Sequence, residues 1–189
     1  MLFQESALFD SLTIEENVAY PLVNQKAIRC PKNEVHSRVE EALNFVELGS
    51  TLEKFPADLS GGMRRRAAIA RAVVTNPPLI LYDSPTAGLD PITANTIMEL
   101  LIKARDVAHT TTLVVTYRYQ DGSLMANFRY NPNRGGLELA QNGNSHIPAT
   151  FLVLREGRLI FEGEQRLLEQ SEDPYILNFV KPRGLHGEH

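Results

Sequence analysis

Long apolar runs, cysteine and surplus positive charge are what this sequence of 189 residues has least of. No stretch approaches the ~20 consecutive apolar residues that a membrane-spanning helix needs, so a role at a membrane has to run through a partner. The opening MLFQESALFD has no basic segment followed by an apolar one, which excludes a secretory leader and leads us to expect a cytosolic chain. The single cysteine, Cys30, excludes an internal disulfide framework, fits a reducing compartment and reads as an ordinary thiol. A net charge of −4 argues against nonspecific binding to nucleic acid, which rests on a basic surface. The five histidines (His36, His109, His146, His186 and His189) share no metal-ligand spacing and are expected at the surface. No repeat of fixed period and no low-complexity tract is present.

What is there is a globular chain, 43% hydrophobic and 22% charged, enough for one domain with a real core and an inserted lobe. Thr13 and Glu16 form the pattern of a capping box, predicting a short helix over 13–20 that Pro21 closes. Val35, Val39, Leu43 and Val46 keep helical spacing over 32–48, with Gly49 as the stop. Residues 50–58 read as a loop. Ser60 caps a helix over 61–75, ended by Asn76-Pro77-Pro78. The unbroken apolar runs at 79–83 (LILYD) and 111–116 (TTLVVT) predict fully buried strands. Asp90 followed by Pro91 launches a helix over 91–106. Residues 131–149 are rich in Asn, Gly and Pro and read as an irregular insertion. Glu156-Gly157 predicts a hairpin of 150–154 and 158–162, and helices are expected at 164–170 and 174–180. Strands alternating with helices indicate an α/β sheet.

The informative stretch is DLSGGMRRRAAIARAVVTNPPLILYDSPTAGLDP, residues 58–91. Two glycines after a serine, at a helix start, offer bare backbone N–H groups and the positive end of a helix dipole, which suits a phosphate. About twenty residues later a strand ends in Asp83, placed to support Mg²⁺. Arg64, Arg65 and Arg66, with Arg71 a turn later, read as an exposed basic helix face rather than a nucleic-acid contact. Tyr117, Tyr119 and Tyr130, near Arg118 and Arg129, read as a partly buried region rather than a stacking surface for bases.

The order and spacing of these pieces resemble the ATP-binding subunit of ABC transporters. Leu59–Met63 resembles the family's signature motif, Leu79–Asp83 its Walker B strand and Ala87–Asp90 its D-loop. Gln4 in LFQESALF resembles the Q-loop, and TTLVVTYRYQD resembles the strand and switch that end in the H-loop. The resemblance runs from residue 1 to about 130 and resumes over 150–180. FQESALFDSLTIEENVAYPL, the Met63 ending and DPYILNFV are most similar to the subunit of Mla-type phospholipid-trafficking transporters.

That resemblance implies an α/β fold, a partial phosphate-loop NTPase domain over 1–183 with a tail at 184–189. Within it, 10–58 forms a helical subdomain that touches a permease. Residues 59–130 carry the signature, Walker B strand, D-loop and switch; 131–149 is the insertion, and 150–183 the C-terminal hairpin and helices. Gln4 would sense the γ-phosphate and Mg²⁺. Ser60, Gly61 and Gly62 would close on ATP held by the opposite subunit, Asp83 would support Mg²⁺, and Asp90 would cross the dimer interface. The implied partners are an ABC permease subunit and a second cassette, as a homodimer or an intact ATPase subunit. The implied location is cytoplasmic, at the inner face of the cytoplasmic membrane, reached only through the permease.

Three departures bear on activity. No G-x-x-x-x-G-K-[ST] occurs in the sequence, so the phosphate-cradling loop, its lysine and the adenine-stacking aromatic that the family places before the Q-loop are expected to be lacking. Ser84 stands where the family has the glutamate that polarises the attacking water, and loss of a general base costs roughly 10²–10⁴-fold in rate. Tyr117 stands where the family has its switch histidine, and a phenol titrates far higher than an imidazole. Glutamate to serine takes at least two base changes and histidine to tyrosine one, so the two changes look independent. The expected function is an ATP-binding or ATPase subunit of a lipid-type ABC transporter, impaired in catalysis. The alternatives are a catalytically dead module that pairs with an intact ATPase or permease, or a fragment without function.

Overall fold

The computed structural model describes residues 1–2, 6–25, 28, 30–140 and 147–180. Its first helix, α1 (Ile14–Asn24), has the expected capping box: Glu16 N–H donates to Thr13 Oγ1 and Thr13 N–H to Glu16 Oε2. Pro21 does not close α1 but lies buried inside it. The cost of the missing N–H is offset by packing of Pro21 and Leu22 in the core. The lobe's second helix, α2 (Lys32–Phe45), stops three residues short of expectation. Its end is set by Glu47 at φ 60°, with Leu48 N–H donating to Leu43 O. Gly49 answers a different need, because a Cβ there would run into the Asn44 side chain. The expected loop over 50–58 contains two single 3₁₀ turns, Gly49–Thr51 (which begins one residue earlier) and Pro56–Asp58.

Then follow α3 (Gly61–Val73), β1 (Leu79–Asp83), α4 (Pro91–Val107) and β2 (Thr111–Val115). β1 and β2 pair in parallel, Leu81 opposite Leu113 and Asp83 opposite Val115, with Leu2 bridged to Tyr82 on the other edge of β1. Neither strand is fully buried. Ile80 and Tyr82 face the core at 2% and 1% exposure, while Leu79, Leu81, Leu113 and Val115 on the opposite face stay 36–56% exposed. Only one side of this pair is covered by described residues, so an apolar run that can be buried on both faces is buried on one.

The main core lies on the covered side. Val39 and Leu43 of α2, Ala67 and Ile69 of α3, and Ile97, Leu101 and Ile102 of α4 pack there with Ile14 and Val18 of α1. The helical lobe and the α/β portion thus share one continuous core. Each fully buried Val, Leu or Ile among them contributes about 1.5–3 kcal/mol.

The expected irregular insertion is partly ordered structure. After an unforeseen helix, α5 (Tyr119–Asn127), an antiparallel hairpin of β3 (Phe128–Asn131) and β4 (Gly136–Leu139) follows; residues 141–146 lie outside those described. This hairpin is tied to α4: Arg105 donates to the carbonyls of Met125 and Phe128, and Tyr130 N–H donates to Asp106. The C-terminal hairpin, β5 (Phe151–Arg155) and β6 (Arg158–Gly163), turns at Glu156 and Gly157, both at positive φ as a tight hairpin requires. The helices α6 (Gln165–Glu169) and α7 (Pro174–Val180) finish the described chain. No helix among the described residues is long and apolar enough to cross a membrane.

Candidate functional site

Ser60 caps α3 as its sequence context predicts, Oγ accepting from Met63 N–H at 3.2 Å. The N–H groups of Gly61 and Gly62 have no partner among the described residues, so the helix start presents bare donors. Gly62 is required by a neighbour: a Cβ would sit 2.8 Å from Thr93 Cγ2. Thr93 is in the first turn of α4, capped by Asp90, whose Oδ1 accepts from the N–H groups of Ile92 and Thr93 at 3.0 Å each. Thr93 Oγ1 donates to Asp90 Oδ2 at 2.5 Å. The Thr93 hydroxyl, helped by its N–H, holds the Asp90 carboxyl below the usual range. Two exposed helix N-termini, those of Ser60 and Asp90, are therefore locked side by side.

Asp83 ends β1 half-buried, and Ser84 Oγ donates to its Oδ1 at 3.3 Å. Ser84 turns the chain at φ 44°, a left-handed conformation uncommon for serine. Ser84 N–H donates to Val115 O at 2.8 Å, which brings the end of β2 alongside. Two residues beyond Val115, Tyr117 is 64% exposed. Asp83 shares a strand face with Leu79 and Leu81, so it belongs to the uncovered side of the pair. Gln4 lies outside the described residues.

The basic triplet is an exposed face only in part: Arg64 is exposed and Arg66 half-buried, whereas Arg65 lies inside. Arg65 is 6% exposed and donates to Ala87 O at 3.3 Å, Arg64 donates to Leu59 O, and Arg66 to Val46 O. Arg65 stands four residues before the fully buried Ile69, so helical periodicity alone places it inward. Arg71, half-buried, donates to the carbonyls of Ser6 and Ala7 and so fixes the segment that follows Gln4. Sequence reasoning also missed Asp121, a buried acid that accepts from Thr86 and Thr116. Among the described residues no cluster of His, Cys, Asp and Glu could by itself hold a metal ion.

These residues leave anion-binding groups open to solvent. The α3 N-terminus suits a phosphate, and Asp83 offers one carboxylate that could join a Mg²⁺ shell completed by phosphate oxygens and water. The glycine-rich cradle and its lysine are not among the 189 residues. The arrangement is an α/β domain with two exposed helix starts able to receive an anion beside a strand-end carboxylate.

Comparison with known proteins narrows the class. The sequence profile of the ABC transporter family matches residues 1–87. The probable ribonucleotide transport ATP-binding protein mkl of Mycobacterium leprae is 31% identical over 97% of this chain and 46% of its own length. The intermembrane phospholipid transport system ATP-binding protein MlaF of Haemophilus influenzae is 30% identical over 96% and 60%. Methionine import ATP-binding protein MetN 1 of Bacillus thuringiensis is 42% identical over 62% of this chain. A dimeric ATP-binding cassette solved in a post-hydrolysis state with ADP and Pi superposes with a TM-score of 0.55 at 39% identity, covering 64% of this chain and 52% of that one. The chain belongs to the ATP-binding domains of ABC transporters. It spans about half the length of the curated relatives it matches.

Proposed function

We propose that this chain is an ATP-binding subunit of an ABC transporter of the phospholipid-trafficking kind, and that it acts by closing a nucleotide site held by a second cassette. The observation that carries the reading is the locked pair of helix N-termini. Ser60, Gly61 and Gly62 present bare donors beside the exposed Asp90, an arrangement that recognises phosphate from outside. The second cassette is a further copy or an intact ATPase subunit. A permease carries the pair at the inner face of the membrane. The lipid assignment rests on the phospholipid-transport relative aligning along nearly the whole chain, which the probable ribonucleotide-transport relative does equally, whereas the methionine-import relative aligns over 62% of it.

Hydrolysis by this chain's own centre is expected to be impaired. Asp83 would support Mg²⁺, which when bound neutralises phosphate charge. Ser84 offers a hydroxyl that is not a base at neutral pH, and its left-handed backbone would be inherited by any glutamate placed there. Tyr117 is exposed and can donate one hydrogen bond to a phosphate oxygen.

The test is light scattering and Mg-ATP turnover of the purified chain, alone and mixed with an intact cassette. We expect no turnover alone, ATP-dependent association in the mixture, and loss of that association in Ser60→Arg. Turnover by the native chain alone would overturn the reading. Ser84→Glu with Tyr117→His is expected to leave the isolated chain inactive, because neither change supplies the phosphate cradle.

A further inference from the structure

Asp121 is a buried acid that the site residues named so far do not use. It lies in the first turn of α5 and is 1% exposed. Its Oδ2 accepts from two hydroxyls, Thr86 Oγ1 at 2.5 Å and Thr116 Oγ1 at 2.9 Å. Arg118 Nε lies 3.7 Å from Oδ1, and Arg118 N–H donates to Thr116 Oγ1. Thr86, itself 2% exposed, sits between Ser84 and Asp90 in the turn after β1. Thr116 immediately precedes Tyr117. On the far side of the same turn, Ala87 O accepts from the buried Arg65 of α3.

We infer that Asp121 is a positioning residue that fastens the 84–90 turn to the 115–118 segment, so that Asp90 and Tyr117 are set by one carboxylate and move together. The physical reason is the cost of parting them. A buried carboxylate that loses one of two hydroxyl donors is left with an uncompensated lone pair in a low-dielectric place. Neither threonine can swing away alone without that penalty. Arg65 extends the tie to the α3 helix, which carries Ser60 to Gly62 at its start. The functional meaning rests on the cassette reading given above; the coupling itself does not.

The test is amide hydrogen exchange on the full chain without nucleotide, so its failure is distinct from failure of ATP-dependent association. Thr86→Val is expected to speed exchange over 116–122 by about tenfold, although those residues lie some thirty positions away. Thr116→Val is expected to do the same over 84–90. Thr86→Ser keeps the hydroxyl and is expected to show the native pattern, and protection over 97–104 in α4 should be unchanged in all three. If either valine variant loosens only its own segment, or Thr86→Ser behaves as Thr86→Val, the inference is wrong. Loss of protection throughout α4 in the valine variants would make the network an ordinary part of the core and overturn it as well.

Discussion

His36 on α2 places its Nδ1 2.6 Å from Glu15 Oε1 on α1, with Glu40 Oε1 at 3.8 Å from Nε2. The hydrogen bond to Glu15, then its charge, raises the imidazole above its ordinary range. Because the folded value is the higher one, the contribution to stability is fully present below the unfolded value near 6.5 and is lost as pH rises through the folded value. An NMR titration of the His36 ring should therefore give a midpoint above about 6.5 that falls back in Glu15→Gln. A midpoint unmoved by that substitution would show the pair is not formed in solution. Asn17 works in the same lobe without titrating. Fully buried, it accepts from Phe9 N–H and donates to the carbonyls of Phe9, Leu12 and Thr13, so one amide closes the 9–13 turn onto α1. Burial of the Tyr82 hydroxyl, which has no partner among the described residues, pushes its ionisation well above the usual phenol range.

Between elements, the approach of α3 to α4 is set by one glycine and one threonine. Thr93 cannot turn its methyl aside, because its hydroxyl is held by Asp90. Gly62→Ala should thus destabilise by roughly 1–2 kcal/mol despite the better helix propensity of alanine, and Thr93→Ser, which removes the methyl and keeps the hydroxyl, should restore most of it. Denaturant melts of the four variants check this; additive effects would mean that the methyl is not the obstacle. Both caps could be read in advance, since Ser60 and Asp90 precede helical patterns and an N-cap is a local device. The contact that makes Gly62 necessary could not, because it joins residues some thirty apart. The same limit explains LILYD: an unbroken apolar run states what a strand can be buried by, not what covers it. Pro21 misled for the opposite reason, as a local rule overridden by tertiary packing. The β3–β4 hairpin was hidden because its anchors, Arg105 and Asp106, lie on α4.

At the scale of the whole molecule the described residues form two apolar clusters of unequal size. The smaller, around Val153, Leu168 and Ile176, has Tyr119, Phe151 and Phe161 packed on it. Tyr119 links it to the rest: its hydroxyl donates to Glu169 and accepts from Gln165 Nε2, and burial is the first cause of a phenol held up at about 12. Tyr119→Phe should cost roughly 1 kcal/mol locally, read as faster amide exchange in β5 and β6 with α3 and α4 unaffected. Uniform acceleration everywhere would show that the two clusters open as one. The parallel bridge of Leu2 to Tyr82 carries a consequence of another kind. It joins positions eighty residues apart, through Leu2 N–H to Leu81 O and Asp83 N–H to Leu2 O, with Leu2 1% exposed. Closing so long a loop is entropically unrewarded until its interior has condensed. On refolding, β1 is therefore expected to gain β2 before its N-terminal edge, leaving Asp83 for a time on a strand with one neighbour instead of two, and pulse-labelled amide exchange should protect the β1–β2 pair before Leu2.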